Sequence, residues 1–377
     1  MYRFICICRK TVGVNIIIFL SLILVLFGCQ KKEDDSTLIN KNEENSTPIN
    51  KNEENSTPIN DNEELIVSVF DKEGKSSVVE INAEKNVVNE LVNNEEVWLH
   101  ASLSDNKQYL AYTSAKGEGP WEIYLLDRND KKTYQVTNDT LGQLIPRFGD
   151  NITIYSEILG ATFPVSKISK IDVKKKNSIV FDTKQPDRAV EMYDTSKDKI
   201  IGAFVSEEEN TARRKAANDA GVPLGQIVYS IYEMNLDGSD MNLVANIKAV
   251  NIDSMAYGPN GNTVILGGAN INEDEGSGIY QLSLTDKTLT TILTDQMINK
   301  SKNPLLSEIG QRRLAVLSKN ERFIYFSGIP KNAEDVSFDG IISKIQCIYK
   351  YDLDNKEITK VYEYKKPAFI TDLTVTY

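Results

Sequence analysis

Apolar and polar positions alternate along this chain in a short phrase that recurs six times. In each copy an apolar pair is followed two or three residues later by Asp, Asn or Ser. The copies are residues 78–82 (VVEIN), 123–127 (IYLLD), 168–172 (ISKID), 231–235 (IYEMN), 279–283 (IYQLS) and 348–352 (IYKYD). They begin 45, 45, 63, 48 and 69 residues apart, and a period in the forties with occasional insertions is typical of a ring of four-stranded blades. The pattern predicts an all-β fold, a six-bladed β-propeller.

Each copy sits inside a longer pattern of strands and polar turns. In the first complete unit, residues 98–103, 109–113, 123–127 and 134–137 are rich in apolar, β-branched or aromatic side chains and are separated by Asp, Asn and Lys. Such a pattern predicts an antiparallel meander. A sheet with two apolar faces is stable only when both are covered, which radial stacking of blades achieves.

The two ends of the repeated region predict how the ring closes. Residues 370–377 (ITDLTVTY) have the pattern of an innermost strand with nothing after it, whereas residues 65–70 (LIVSVF) resemble a second strand without a first. We expect the C-terminal strand to pair with the N-terminal strands and complete the sixth blade.

The turns carry a family resemblance. Residues 257–261 (YGPNG) resemble the repeat of TolB-type six-bladed β-propellers, in which an aromatic residue and a Ser-Pro-Asp-Gly turn precede an apolar strand. Weaker versions occur at residues 103–106, 148–151, 193–197 and 317–320. The resemblance covers residues 65–377 and implies a scaffold that binding proteins and enzymes share, so it implies no particular function.

The N-terminal segment has the order of an export signal. Three basic residues, Arg3, Arg9 and Lys10, precede an apolar stretch at residues 12–27, and the chain then becomes polar. Residues 26–29 (LFGC) resemble the lipobox of bacterial lipoproteins, which implies cleavage before Cys29 and lipidation of its thiol. We therefore expect a signal peptide over residues 1–28 and an extracytoplasmic protein held at a membrane by its lipid. An uncleaved membrane anchor is the alternative.

A ten-residue repeat separates this cysteine from the predicted propeller. Residues 36–45, 46–55 and 56–64 are near-identical copies of the sequence STPINKNEEN. Few apolar residues are present to offset chain entropy, so we expect residues 29–64 to form a disordered tether. A segment that binds the cell wall is the alternative interpretation.

Composition limits the partners and the chemistry. The net charge of −11 disfavours nucleic acid as a partner. Removal of the signal and lipidation of Cys29 would leave Cys347 alone in the folded domain, so no intramolecular disulfide is expected. Because His100 is the only histidine, sites with several histidine ligands are excluded. We expect no cofactor and no metal, and among the acidic loops residues 272–276 are the best metal candidate.

The repeat is lengthened in three neighbouring blades, each time between the second and third strands. The insertions are residues 207–226, 270–278 and 330–341. Loops at this position leave a blade on the same side, so they should crowd one sector of one face, where binding loops are often found. Residues 207–220 are good helix formers followed by Gly221 and Pro223, which predicts a short helix. Neutral variation in loop length is the alternative.

The same face should hold a ring of charged residues at the mouth of the central channel. Alignment of the blades places there, together with Gln143, the candidate ligand-binding residues His100, Arg188, Asp253, Arg312, Arg313 and Asp372. Charges of both signs suit a polar ligand, but the same charges could pair with one another.

We therefore expect a monomeric, non-catalytic binding module of a bacterial envelope, whose partner is an envelope protein or a small polar ligand. An enzyme that processes a carbohydrate or peptide at the mouth is the alternative. An exposed apolar patch near the insertions would favour a protein partner.

Overall fold

Six four-stranded blades form the folded part of the chain. The computed structural model describes residues 63–377, apart from residues 84, 86, 116–118, 139, 161, 162, 273 and 339. The predicted signal peptide, Cys29 and most of the predicted tether lie outside the described residues.

The blades are numbered 1 to 6 in the order in which the chain completes them. Blade 6 begins with β1 (Glu64–Asp71), β2 (Ser76–Asn82) and β3 (Val87–Glu95). Blades 1 and 2 contain β4 (Ala101–Leu103), β5 (Tyr109–Ser114), β6 (Glu122–Asp127), β7 (Lys132–Gln135), β8 (Gly142–Phe148), β9 (Thr153–Gly160), β10 (Phe163–Asp172) and β11 (Asn177–Val180). Blade 3 contains β12 (Arg188–Thr195), β13 (Lys199–Ser206), α1 (Glu207–Ala220), β14 (Ile227–Asn235) and β15 (Asn242–Ala249).

Blades 4 and 5 carry the remaining insertions. Blade 4 contains β16 (Asn251–Tyr257), β17 (Thr263–Ala269), β18 (Ser277–Ser283) and β19 (Leu289–Thr294), followed by α2 (Asp295–Ser301). Blade 5 contains β20 (Leu306–Ile309), β21 (Ala315–Leu317), β22 (Phe323–Pro330), β23 (Asp335–Phe338), β24 (Ile341–Lys344), β25 (Cys347–Asp352) and β26 (Ile358–Glu363). The last strand, β27 (Ala368–Thr376), is the innermost strand of blade 6.

The repeated phrase occupies the third strand of every blade, as predicted. β2, β6, β10, β14, β18 and β25 each pair antiparallel with a second and a fourth strand. Successive side chains of a strand point to opposite faces of the sheet, so apolar residues on both faces meet neighbouring blades. For example, Leu110 and Tyr112 of blade 1 form one buried cluster with Ile66 and Val78 of blade 6.

The predicted closure is confirmed. β27 pairs antiparallel with β1 over its whole length, from the pair Glu64 and Thr376 to the pair Asp71 and Ala368. The last strand of the chain therefore joins the first three in one sheet, which closes the ring.

Several strand bounds differ from the predicted ones by one to three residues, and two of these differences have a clear cause. β4 begins at Ala101, because Trp98 instead packs its ring against Phe70 and Phe369. The fourth strand of blade 1 ends at Gln135, because the Thr137 hydroxyl accepts a hydrogen bond from the Ile123 backbone N–H at 2.9 Å in place of a ladder partner.

Blade 5 contains two features that the pattern did not predict. Its innermost strand is broken into β20 and β21 by residues 310–314, and its insertion forms the two-stranded hairpin of β23 and β24.

Cys347 is buried and free, and burial raises the pKa of its thiol to about 12. Within the described part of the chain, no helix combines the length and the apolar character that a membrane crossing requires.

Candidate functional site

The strand order gives the disc two distinct faces. One face, called here the loop face, carries the connections between second and third strands and the beginnings of the innermost strands. The opposite face carries the short turns that join first to second and third to fourth strands. The insertions of blades 3, 4 and 5 therefore all lie on the loop face.

Helix α1 of blade 3 forms where it was predicted, at Glu207–Ala220. The Ser206 hydroxyl caps its N-terminus by accepting from the Glu209 N–H at 3.1 Å, and Gly221 ends it with a left-handed φ of 62°. Arg213 fixes the helix to the ring, since its guanidinium donates to the backbone oxygens of Gly225 and Val250 at 2.8 and 3.0 Å. The helix is polar and otherwise stands in solvent.

The insertions of blades 3 and 4 contact each other. The Gln226 side-chain amide donates to the backbone oxygens of Asn270 and Asn272 at 2.6 and 2.7 Å. In the acidic loop, Asp274 accepts from the Thr291 hydroxyl. No group of three or more His, Cys, Asp or Glu side chains suited to a metal ion occurs among the described residues, which do not include residue 273.

The blade 5 hairpin reaches over to blade 6. Phe338, at its tip, is buried and packs against Phe369, the second residue of β27, with ring centroids 6.4 Å apart. Val336 and Trp98 pack against the same aromatic cluster. The hairpin is thus held beside the mouth of the channel, a position that the length of the insertion did not predict.

The structure divides the predicted mouth residues into separate groups. Asp253 and Arg313 form an ion pair 2.5 Å long, and the Arg313 Nε also donates to the Ser277 hydroxyl at 3.0 Å. Burial raises the pKa of Asp253, while the nearby positive charges of Arg313 and Arg312 act in the opposite direction. The positive charge of Arg312 also lowers the pKa of His100.

His100 and Asp372 belong to a deeper group. Asp372 is buried and accepts two hydrogen bonds from the Arg147 guanidinium, both at 3.0 Å, and one from the Ala101 N–H at 3.1 Å. Burial alone would raise the pKa of Asp372, but Arg147 and His100 hold it below its usual range. Burial lowers the pKa of His100, whose Nδ1 lies 3.8 Å from the Asp372 carboxylate.

Arg147 extends this group to Asp194. Its Nε lies 3.6 Å from one carboxylate oxygen of Asp194, and the other oxygen accepts from the Tyr257 N–H at 2.7 Å. Burial nevertheless raises the pKa of Asp194 to about 6, against the effect of Arg147. Asp194, Arg147, Asp372 and His100 therefore form a continuous polar chain inside the ring.

Arg188 and Gln143 are not directed at the mouth. The Arg188 guanidinium lies 5.0 Å from the centre of the Tyr232 ring and 3.4 Å from Asp182. Gln143 is fully buried and accepts from the hydroxyls of Ser156 and Ser169 in its own blade. The contacts described for these two side chains are thus with their own and the preceding blade rather than with the other predicted mouth residues.

A depression of about 210 Å³ lies on the loop face, between the hairpin and the break in the inner strand of blade 5. We call it the blade 5 depression. It is lined by Ser277, Glu308, Ile309, Gln311, Arg313, Ile329, Asp335, Ile342, Ser343 and Lys344. Of the predicted mouth residues only Arg313, which is paired with Asp253, lines it.

The backbone at the break is tightly held. Arg313 adopts a left-handed φ of 47°, which is uncommon for a residue other than glycine. Its carbonyl oxygen accepts from the Ser254 hydroxyl at 2.8 Å and touches Gly267, where an added Cβ would come within 1.7 Å of that oxygen. Blade 4 therefore fixes the strained turn that presents Arg313.

Exposed apolar side chains also occur on this face. Val222, Met297, Leu305 and Ile342 are 56%, 41%, 42% and 74% exposed, and they follow α1, lie in α2, precede β20 and lie in β24. They are distributed over blades 3 to 5, and of these four side chains only Ile342 lines the blade 5 depression.

Sequence reasoning missed Arg147, Asp194 and the charged lining of the depression. Arg147 and Asp194 lie near the ends of innermost strands β8 and β12, next to apolar residues, where a charged side chain signals a buried ion pair. The sequence contains no such signal for Glu308 and Lys344. They line the same depression because the inner strand of blade 5 is broken and the hairpin packs beside it.

Comparisons with known proteins support the fold. The sequence matches no protein-family model and no curated protein. The structure is similar to TolB from Acinetobacter baumannii, with a TM-score of 0.60 and 8% identity over 85% of this chain and 68% of that chain. It is also similar to a chain of the nidogen/laminin complex, with a TM-score of 0.54 and 8% identity over 84% and 98% of the two chains. A putative TolB from Agrobacterium tumefaciens gives a TM-score of 0.49 and 10% identity over 84% and 98%.

The predicted TolB-type six-bladed β-propeller fold is therefore confirmed. At these identities the similarity concerns the fold alone.

Proposed function

We propose that the protein is a monomeric, non-catalytic binding module of a bacterial cell envelope. A lipid on Cys29 holds it at a membrane, and residues 29–64 act as a tether. It binds an envelope protein or a small polar ligand with the loop face of blades 3 to 5.

One observation carries this proposal. The insertions of three consecutive blades lie side by side on one face, and each is ordered by specific contacts: Arg213 fixes α1, Gln226 joins two insertions, and Phe338 anchors the hairpin. A rigid ring that holds ordered loops together is the usual arrangement of a binding surface.

The surface chemistry agrees with binding. The exposed side chain of Ile342 lines a depression that contains charges of both signs. The similar chain of the nidogen/laminin complex belongs to an assembly of proteins, which makes a protein partner reasonable for a propeller of this shape.

Catalysis at the channel mouth is disfavoured by the pairing of its carboxylates. Asp253 is engaged by Arg313, and Asp372 by Arg147 and the Ala101 N–H. A general acid or base needs a carboxylate that can reach the substrate. Within the proposal, Asp253, Arg312 and Arg313 border the ligand site, while His100 and Asp372 maintain the ring.

Chemical cross-linking in cells of the native host tests the proposal. A membrane-impermeant, amine-reactive cross-linker should join Lys300, Lys331 and Lys344 of the loop face to other molecules. Lysines of the opposite face, Lys131, Lys197 and Lys356, serve as the control and should yield none. Cross-links mainly from the opposite face would contradict the binding surface.

A further inference from the structure

The hairpin of β23 and β24 is fixed to the ring at its two bases. Before it, the Lys331 N–H donates to the Leu305 carbonyl oxygen at 3.0 Å, and after it the Gln346 N–H donates to the Ala368 carbonyl oxygen at 3.0 Å. Asn332, next to the first of these bonds, has a left-handed φ of 61°, which asparagine adopts more readily than most residues. The hairpin therefore has two defined points about which it can turn.

Between these points the hairpin makes no polar contact with the ring. β23 and β24 pair only with each other. Among the residues of 335–344 that the structure describes, none forms an ion pair or a hydrogen bond with a blade; the Ser343 hydroxyl donates at 3.4 Å to the carbonyl oxygen of its neighbour Lys344. An element outside the hydrogen-bonded ladders of the blades can open without breaking a blade.

An aromatic cluster alone holds the hairpin down. Phe70, Trp98 and Phe369 form what we call the aromatic seat, with the Trp98 ring centroid 5.5 Å from each of the other two. Phe338 fills the seat, 6.4 Å from Phe369 and only 2% exposed. Side chains alternate along the hairpin strands, so Ile342 lies on the other face and is 74% exposed.

The aromatic seat lies beside the channel mouth on the loop face. Phe369 is the second residue of β27, whose beginning is on that face, and Trp98 is two residues from His100. Removal of Phe338 from the seat would therefore expose three aromatic rings where the proposed partner binds. Aromatic side chains are enriched at protein interfaces, where they pack in tilted pairs of this kind.

We propose that the hairpin is a hinged lid, and that the aromatic seat under Phe338 binds an aromatic side chain of a protein partner. With the lid closed, the chain's own Phe338 blocks the seat. With the lid open, an aromatic side chain of the partner takes its place. Phe338 itself shows the chemistry that the seat accepts. The inference rests on the proposed function, since it names the group that the loop face recognises.

Hydrogen exchange of the full-length protein in detergent tests whether the hairpin moves as a lid. Phe338→Ala should speed exchange of the hairpin amides at least about tenfold, while β22 and β25, which precede and follow the hairpin, keep their native rates. Ile342→Ala alters the exposed face of the same hairpin and should leave every rate unchanged. Native rates throughout Phe338→Ala, or equally faster exchange in β22 and β25, would overturn the lid.

A synthetic peptide tests what the seat binds. It has the sequence of residues 335–344, and its control is the same peptide with Phe338→Ala. The receiving protein carries Phe338→Ala and Trp121→Phe, which leaves Trp98 as its only tryptophan. The peptide with phenylalanine should shield Trp98 from fluorescence quenching by acrylamide, and the alanine peptide should not. No shielding by either peptide, or equal shielding by both, would overturn the assignment of the seat.

Cross-linking in cells of the native host connects the seat with the partner. Because Phe338→Ala leaves the seat open, it should raise the fraction of the protein that loop-face lysines join to other molecules. An unchanged or lower fraction would overturn the role of the seat in partner binding. Cross-links of the native protein from those lysines would then still support the proposed function, so the two failures are distinguishable.

Discussion

At the scale of single residues, Arg147 organises the interior of the ring. It makes two hydrogen bonds to Asp372 and approaches Asp194, which joins innermost strands β8, β27 and β12. All three side chains are largely removed from water. Buried ion pairs of this kind add little net stability, but loss of one partner leaves an uncompensated charge.

Arg147→Met should therefore destabilise the ring strongly. We expect the free energy of unfolding to fall by about 3–5 kcal/mol, since the Asp372 carboxylate stays buried without its partner. Urea unfolding measures the difference. Arg322→Met, which removes a half-exposed partner of Asp352, should change the free energy of unfolding much less, because solvent screens this ion pair. Equal effects of the two substitutions would contradict this role of Arg147.

The pH dependence of stability should reveal Asp194. Its folded-state pKa of about 6 lies above the unfolded value of about 3.9, so the folded protein binds more protons between these values. The stabilising contribution of the protonated carboxyl group is fully present below pH of about 4 and is lost as the pH rises through about 6.

The comparison with Asp194→Asn isolates this effect, since His100 and Asp372 titrate in both proteins. The stability of the native protein relative to the variant should decrease between pH 4 and pH 7, by on the order of 1–3 kcal/mol. Urea unfolding at several pH values measures it. A relative stability that increases with pH would show that Arg147 outweighs burial at this site.

At the scale of elements, the caps at its two ends contribute much of the stability of α1. Only Asn210 of the helix is buried, so tertiary packing contributes little to the stability of α1. The Ser206 cap therefore contributes a larger part of that stability. Ser206→Ala should destabilise α1 by about 1 kcal/mol and raise hydrogen exchange in its amides, with little change in global stability. Thr211→Ala, inside the helix, is the matched control. Unchanged exchange in Ser206→Ala would refute the capping role.

The elements that the sequence predicted are those with a local signal. The third strands were recognisable because the same apolar and aromatic positions recur six times, and α1 because good helix formers precede Gly221. The hairpin of β23 and β24 was not recognisable from the sequence, because its strands have four residues each and the burial of Phe338 involves Phe369 of blade 6. The break at Arg313 likewise depends on contacts from blade 4. The sequence therefore predicts which face of the ring carries the candidate site, but it does not predict which side chains line that site.

At the scale of the whole molecule, stability depends on closure. β27 supplies Asp372 to the polar chain and pairs with β1 along its length. A chain that ends at Phe369 lacks residues 370–377 and should lose cooperative unfolding, because blades 1 and 5 each lose a neighbour. Calorimetry of this truncated chain checks the expectation. A single cooperative transition close to that of the intact protein would show that closure is dispensable.

The central claim is that the loop face of blades 3 to 5 is the binding surface, and two matched surface substitutions test it most directly. Ile342→Asp alters the rim of the blade 5 depression, whereas Ile179→Asp alters the outer edge of blade 2, and both isoleucines are highly exposed, at 74% and 60%. Neither should change stability appreciably. The measurement is the fraction of the protein that an amine-reactive cross-linker joins to other molecules in cells of the native host. The account predicts a clear loss in Ile342→Asp and no change in Ile179→Asp; equal fractions, or a loss only in Ile179→Asp, would contradict it.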